Sequence, residues 1–179
     1  MREVKTFYLL LHPRPAYIIG SGRFGERVNV MAASWVVPAA EEPPLVVISI
    51  GVDSLTHKLI ETFGEFTVNI VSMEMLGQLY YVGRISGHKE DKTKLVKVVK
   101  GEKVSAPVVD GAVGIIECKV YSTAKAEDVT IFIGEVLTAR ADERFFDDRK
   151  GWDFKEIDLP LHNWGRGFYG VGAFRMAKS

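Results

Sequence analysis

Short stretches in which apolar and polar residues alternate run along most of the chain, and many are rich in β-branched residues. This pattern is typical of strands that bury one face. The predicted strands are 16–19, 28–32, 45–50, 66–71, 114–121, 130–138 and 168–174. Turns rather than helices join most of them, so the sequence favours a mainly β, antiparallel barrel or sandwich with attached helices over a doubly wound parallel sheet.

Two helices are predicted within this series of strands. The first begins after Asp53 or Ser54, either of which can cap its first turn, and ends before Gly64, which suits the position after a helix. Its apolar stripe at helical spacing consists of Leu55, Leu59, Ile60 and Phe63. The second helix is predicted over 73–81, with Ser72 as its cap.

One glycine-rich segment matches a dinucleotide-binding motif. Residues 20–25 have the pattern G-x-G-x-x-G and follow a predicted strand. That motif requires a helix to begin at its third glycine, so that the helix N-terminus meets a pyrophosphate. Residues 27–35 instead alternate like a strand and include Trp35. We therefore interpret the segment as the turn of a β-hairpin.

The charge balance narrows the range of partners. The chain has 179 residues, and its 23 Lys and Arg against 23 Asp and Glu give a formal net charge of +0. A neutral surface lacks the long-range field used in non-specific binding to nucleic acids or anionic membranes, so we expect neither partner. No repeat or flexible linker divides the sequence, which predicts a single domain over 1–179.

The cysteine and histidine content, together with the length of one apolar stretch, indicates where the protein is located and which sites are not expected. Cys118 is the single cysteine, so the chain cannot form an internal disulfide, and a reducing compartment fits best. The apolar stretch 7–11 is too short for a membrane span and is not followed by a signal-peptide cleavage pattern, so a cytoplasmic protein is predicted. The four histidines have no ligand-like spacing, and no metal site is expected.

Three groups of segments together resemble the flavin reductase-like family of FMN-binding split barrels. They are residues 14–20 and 29–35, then 43–50, 56–60 and 64–70, and finally 83–87, 133–136 and 169–172. The resemblance rests on their order and spacing and extends over about residues 14–174. It implies an antiparallel Greek-key split β-barrel that binds FMN as a homodimer. The activity it implies is NAD(P)H-dependent flavin reduction or electron transfer through FMN.

The start of the first helix is a candidate site for the FMN phosphate. It offers free backbone N–H groups, the Ser54 and Thr56 hydroxyls, and the basic residues His57 and Lys58. From the residues alone, a capped surface helix with a solvated Lys-His pair is the more common arrangement. The resemblance favours the phosphate site, because family members place a phosphate-binding Thr and basic residues at this point.

The flavin ring needs an apolar slot with backbone or hydroxyl groups at its edge. Residues 31–35 combine small side chains with the large Trp35, and 49–51 would form the neighbouring strand end, although ordinary strand packing explains the same residues. His88 and Lys94 fall where relatives place basic residues near the flavin, although a solvated charge run also accounts for them. The cofactor-binding residues that the resemblance implies are Asn29, Met31, Ala32, Ala33, Ser34, Trp35, Ser49, Ile50, Gly51, Ser54, Thr56, His57, Lys58, His88 and Lys94.

The sequence departs from the family at one functional position. Many active reductases carry Asp-His before the strand that ends in Gly-Glu-Val, with the histidine near the nicotinamide. Here the pair is Asp128 and Val129. Valine cannot hydrogen-bond a carboxamide or move a proton, so FMN binding is retained but efficient oxidation of NADH or NADPH is put in doubt. The electron donor would then be another protein, or the nicotinamide would dock differently.

Hydride transfer to a flavin needs no protein nucleophile, so no catalytic residue is assigned. The prediction is an FMN-binding oxidoreductase that passes electrons from NADH, NADPH or a protein donor through FMN. Two alternatives stay open: an FMN carrier without turnover, and a split barrel for another phosphorylated ligand such as pyridoxal phosphate. Oligonucleotide binding is remote, because the sequence shows no basic, aromatic face.

Overall fold

The computed structural model describes residues 1–175, mostly as antiparallel strands. The strands are β1 (Arg14–Pro15), β2 (Tyr17–Arg23), β3 (Arg27–Ala33), β4 (Val36–Ala40), β5 (Leu45–Gly51), β6 (Glu65–Ile70), β7 (Val98–Lys100), β8 (Pro107–Val109), β9 (Gly114–Ala126), β10 (Val129–Ala141), β11 (Phe146–Asp147), β12 (Gly151–Trp152), β13 (Leu161–Trp164) and β14 (Gly167–Tyr169). The helices are α1 (Leu55–Phe63) and α2 (Leu76–Arg84), with short 3-10 helices at Phe7–Leu11, Met73–Met75 and Lys92–Lys94. No helix in the described range is long and apolar enough to cross a membrane.

Seven strands form one antiparallel sheet, in the order β3-β2-β6-β9-β10-β5-β4. Three hairpins build most of it, because β2 pairs with β3, β4 with β5, and β9 with β10. β6 enters between β2 and β9, so the order in the sheet departs from the order along the chain. The mainly β, antiparallel fold class that the sequence predicts is confirmed.

Two hydrophobic clusters hold the sheet and helices together. β2 contributes to both, because successive side chains of a strand point to opposite faces: Ile19 enters one cluster and Ile18 the other, which includes residues of α2. A Cβ on Gly134 would lie 2.4 Å from the Phe66 ring, so glycine allows β10 to cross the core closely. Cys118 packs in the first cluster, and its burial raises the pKa of the thiol to about 12, as suits an unreactive core residue.

Strong local signals place the first hairpin and the first helix correctly. β2 continues through the glycine-rich segment to Arg23, and residues 24–26 turn directly into β3, which confirms the hairpin interpretation. α1 begins after Ser54, whose Oγ accepts a first-turn backbone N–H at 3.0 Å. It ends at Gly64 in the left-handed conformation, with φ of 68°.

Two predicted elements differ from the structure. α2 begins after the 3-10 turn at 73–75, later than predicted, and Ser72 makes no capping hydrogen bond with its side chain. The strand predicted over 168–174 is wrong beyond β14. The Val171 N–H there donates to Asp158 Oδ1 at 2.9 Å and not to a neighbouring strand.

Candidate functional site

A cavity of about 430 Å³ lies at the N-terminus of α1. It is here called the polar cavity, because hydroxyl, amide and charged side chains are among those that line it. Residues of β3, the start of α1 and the segment after α2 form its walls. Thr56 is buried in the first turn of α1, and its Oγ1 accepts a hydrogen bond from Asn29 Nδ2 at 2.8 Å. The first N–H groups of a helix lack partners within the helix and carry partial positive charge. This end of the polar cavity therefore favours an anion.

A buried lysine adds a full charge to the polar cavity. Lys92 lines the cavity, is 3% exposed, and donates from Nζ to Val82 O at 2.7 Å. An ammonium has three donors, and no carboxylate in residues 1–175 forms an ion pair with this one. Burial lowers the pKa of Lys92 to about 8. The ammonium is thus desolvated without an ion pair, although Asp53 and Asp128 also line the polar cavity. An anion bound beside Lys92 would supply that pair.

Asn29 ties two walls of the polar cavity together. Its Nδ2 bonds to Thr56 on α1, and its Oδ1 would lie 2.4 Å from a Cβ on Gly87. A glycine is needed for the segment after α2 to approach β3 so closely. Gly87 therefore allows the backbone of the segment after α2 and the start of α1 to line the same polar cavity.

A second cleft of about 320 Å³, here called the aromatic cleft, adjoins the polar cavity. Gly83 and Arg84, at the end of α2, line both. A Cβ on Gly83 would lie 2.9 Å from Ala32 Cβ, so glycine permits close packing of α2 against β3. Tyr80 and Phe168 supply aromatic rings to the walls. The other lining residues are Ala16, Ala32, Ala33, Ser34, Leu79, His162 and Gly165.

The polar groups in the aromatic cleft are few. His162 Nε2 lies 3.4 Å from Gly165 O, and its ring centroid lies 5.0 Å from that of Phe168. Burial is the main cause that lowers the pKa of His162, so its ring is neutral near pH 7 and offers one donor and one acceptor. Among residues 1–175, no cluster of three or more His, Cys, Asp or Glu side chains could hold a metal ion.

The structure brings about half of the sequence-predicted residues to these two sites. The polar cavity is lined by Asn29, Met31, Gly51, Ser54 and Thr56. The aromatic cleft is lined by Ala32, Ala33 and Ser34. The predicted residues that line neither are Trp35, Ser49, Ile50, His57, Lys58, His88 and Lys94. His88 is exposed and lines an adjoining cavity instead.

His57 and Lys58 do not provide the cation expected at the start of α1. The His57 ring is buried against the sheet, with Nε2 2.8 Å from Thr130 Oγ1 and Nδ1 3.4 Å from Glu61 Oε2. Lys58 is exposed and lines neither site. Successive side chains of a helix point in directions about 100° apart, so a neighbour of Thr56 in sequence need not share its cavity.

The lysine that lines the polar cavity is Lys92, which the sequence did not single out, and not the predicted Lys94. Asp91 caps a 3-10 turn by accepting the Thr93 N–H at 3.0 Å. This turn buries the first lysine and leaves Lys94 exposed. Both lysines lie in one charged run, and the capping aspartate is the signal that indicates a turn there.

Three of the predicted residues that line neither site, Trp35, Ser49 and Ile50, contribute to the hydrogen bonds or the packing of the sheet. Trp35 is 42% exposed, and its backbone carbonyl accepts the Ser49 N–H at 3.0 Å. Ile50 is buried in the hydrophobic cluster that also holds Phe66. Successive side chains of a strand point to opposite faces. Ile50 therefore points away from the polar cavity, which its neighbour Gly51 lines.

The fold and the two adjoining sites define a flavin reductase-like split barrel. The family model described as flavin reductase like domain matches residues 9–172. The chain superimposes on the flavoredoxin of Desulfovibrio vulgaris (Miyazaki F) with a TM-score of 0.85 and 30% identity, covering 99% of this chain and 97% of that one. The chain belongs to the flavin reductase like domain family, as the resemblance predicted, and has the split-barrel fold of that family.

Two relatives are similar in sequence to this chain over more than half of its length. An uncharacterized protein of Pyrococcus abyssi is 36% identical over 143 residues, which cover 80% of this chain and 83% of its own length. The NADH-dependent FAD reductase of Streptomyces globisporus is 31% identical over 119 residues, which cover 64% of each chain. The chain is therefore similar both to a flavoredoxin and to a protein named as an NADH-dependent FAD reductase.

Proposed function

We propose that the chain is an FMN-binding oxidoreductase of the flavin reductase or flavoredoxin type, with NADH, NADPH or a protein as its electron donor. The observation that carries the proposal is Lys92, which is buried in the wall of the polar cavity and forms no ion pair within residues 1–175. Family membership supports the flavin as the ligand. Resemblance to the family further supports a homodimer, and the neutral, cysteine-poor sequence supports a cytoplasmic location.

The polar cavity fits the phosphate of FMN. A phosphate dianion needs several hydrogen-bond donors and at least one cation. The first turn of α1 supplies backbone N–H groups, Ser86 and Thr56 bring hydroxyls, and Lys92 supplies the charge. FAD carries a diphosphate joined to adenosine in place of a terminal phosphate. FMN therefore places one phosphate beside Lys92, whereas FAD would need additional room for a second phosphate and adenosine.

The aromatic cleft fits the flavin ring. Ala32 and Ala33 allow a flat ring to approach the backbone of β3, while Tyr80 and Phe168 cover it with apolar surface. The Ser34 hydroxyl offers a hydrogen bond at the edge. Bound FMN would supply the group that accepts a hydride and passes electrons on. The residues of the chain would hold the ring, exclude water and orient the donor.

The FMN affinity of one lysine variant tests the proposal. Lys92→Gln should raise the Kd for FMN by at least about tenfold, because a counter-charge and a charge-assisted hydrogen bond are lost. Lys94→Gln is the matched control: it removes an exposed lysine two positions away and should keep the Kd within about twofold of wild type. Quenching of flavin fluorescence measures both. Wild-type chain that takes up no FMN, or equal Kd values for the two variants, contradicts the proposal.

An FMN carrier without turnover is the second candidate, and Val129 favours it. Val129 pairs with Gly51 of the polar cavity and follows Asp128, which lines it. Its apolar side chain cannot hydrogen-bond a nicotinamide carboxamide. Anaerobic mixing of the FMN-loaded chain with NADH or NADPH separates the candidates. Rapid bleaching of the flavin supports the reductase, whereas no bleaching with either donor supports a carrier or a protein electron donor.

A further inference from the structure

Arg14 lies beside the aromatic cleft. In β1 it pairs with His162 of β13, whose side chain lines the cleft, and Ala16 two residues later lines it as well. The Arg14 guanidinium lies over Trp35, with Cζ 5.5 Å from the ring centroid. Trp35 in turn follows Ser34, which also lines the cleft. Arg14 is therefore placed at the edge of the site where the flavin ring is proposed to bind.

The hydrogen bonds of Arg14 leave its charge uncompensated. Nη2 donates to His12 Nε2 at 2.7 Å. His12 Nδ1 bonds to the Asn163 carbonyl, which only accepts, so Nδ1 is the donor there and Nε2 is the nitrogen that faces Arg14. Arg14 Nε is buried without an acceptor within residues 1–175. No carboxylate in the same range forms an ion pair with the guanidinium.

Two further arginines lie at the aromatic cleft, which Arg14 itself adjoins without lining it. Arg84 lines it, and Arg166 Cζ lies 5.7 Å from the ring centroid of Tyr80, another lining residue. Within residues 1–175 no Asp or Glu lines this cleft, although the chain as a whole has a net charge of +0. A partly buried cation that lacks a counter-charge is unfavourable by itself. The arrangement becomes favourable when a ligand brings a negative group.

We propose that Arg14 recognises the oxyanion, a carboxylate or a phosphate, of a planar substrate that stacks on the flavin at the edge of the aromatic cleft. This inference rests on the proposed function, which places the flavin ring in that cleft, where a reacting molecule would have to stack against it. A guanidinium binds an oxyanion through two parallel N–H bonds, and Arg14 has donors left for this after its bond to His12. The flavin supplies the flat surface on which the substrate ring stacks, and Arg14 selects the charge of the substrate.

Two pairs of probes that differ in one charged group test this recognition. Benzoate and benzamide represent the carboxylate, whereas nicotinamide mononucleotide and nicotinamide riboside represent the phosphate. In calorimetric titrations of the chain in the presence of FMN, wild type should bind the charged member of one pair at least about tenfold more tightly than the neutral member. The pair that shows this preference identifies which oxyanion the cleft takes.

Variants of Arg14 connect the preference to this side chain. Arg14→Gln should remove the preference and leave the affinity for the neutral probe unchanged, while Arg14→Lys should retain part of it, because lysine keeps the charge but not the paired donors. Arg14→Lys also covers the case in which Arg14→Gln does not fold. Arg149→Gln, an exposed arginine that lines neither site, is the control and should behave like wild type.

The outcomes separate this inference from the proposed function. It is overturned if wild type distinguishes neither pair, or if Arg14→Gln keeps the preference. A chain that binds FMN but shows no charge preference overturns the Arg14 inference alone. A chain that takes up no FMN but distinguishes the probes overturns the proposed function and leaves the Arg14 recognition in place.

Discussion

Replacing Lys92 with methionine should raise the stability of the flavin-free chain and weaken FMN binding at the same time. Burial lowers the pKa of Lys92 to about 8, against 10.5 for an ordinary lysine. The folded state thus disfavours the charged form, and the unfolded chain binds the proton more tightly. The resulting loss of stability is complete below about pH 8 and disappears as the pH rises from 8 towards 10.5.

The size of the stability effect follows from that shift. The lowered pKa corresponds to about 3 kcal/mol at pH 7. Methionine removes the charge but also the donor to Val82 O, and the loss of that hydrogen bond costs about 1 kcal/mol. The net gain of about 2 kcal/mol should raise the Tm of the flavin-free chain by about 4–8 °C.

Thermal unfolding and flavin titration on the same preparation form the assay. Lys92→Met should melt at a higher temperature than wild type at pH 7 without flavin, and should bind FMN at least about tenfold more weakly. Riboflavin, which lacks the phosphate, should bind both proteins equally. A variant that melts lower and binds FMN normally would refute the reasoning, because Lys92 would then be a structural residue and not a phosphate ligand.

Three further predictions concern pH, a buried carboxylate and a glycine. FMN affinity should fall about tenfold between pH 7 and pH 9 as Lys92 loses its proton, while riboflavin affinity stays constant. Glu117→Gln should destabilise the chain by about 3 kcal/mol in urea denaturation. The buried Glu117 accepts three backbone N–H groups before β8 and pairs with Arg140 Nη2 at 2.6 Å. Gly87→Ala should weaken FMN binding, measured by titration, because its Cβ would lie 2.4 Å from Asn29 Oδ1 and displace a wall of the polar cavity.

Each of these predictions has a contrary result. FMN affinity that is constant from pH 7 to pH 9 excludes Lys92 as the titrating group. A loss of less than about 1 kcal/mol in Glu117→Gln means that its hydrogen bonds contribute no more than ordinary neutral ones. Gly172→Ala, whose Cβ meets no atom within 4 Å, is the control for Gly87→Ala, and equal FMN binding by the two variants contradicts the role given to Gly87.

Elements with strong local signals were predictable from the sequence. Ser54 and Gly64 carry capping chemistry that acts within one turn, and they bound α1 as predicted. The alternation of residues 27–35 predicted a strand where β3 lies and argued against a nucleotide-binding helix. The end of β14 was not predictable in this way. It depends on Asp158, which lies far from Val171 in sequence and takes its N–H.

The candidate site shows the same division between local and tertiary signals. Small residues on β3 and hydroxyls at the start of α1 were found because adjacency in sequence keeps them together in space. The sequence predicted basic residues near the ligand at His57, Lys58 and Lys94, whereas the lysine that lines the polar cavity is Lys92. The difference arises because the direction of a side chain depends on how the backbone turns and packs. His57 turns towards Thr130, and Lys92 is buried while Lys94 is exposed. Arg14 reaches the edge of the aromatic cleft only through the pairing of β1 with β13.

The ratio of the affinities of wild-type chain for FMN and riboflavin tests the central claim most directly. The two ligands share the ring and ribityl chain, and only FMN carries the phosphate that the polar cavity is proposed to bind. Titration of both at pH 7 should show FMN bound at least about 100-fold more tightly, since Lys92, Thr56 and the N-terminus of α1 act on the phosphate together. Equal affinities, or tighter binding of riboflavin, would contradict the account.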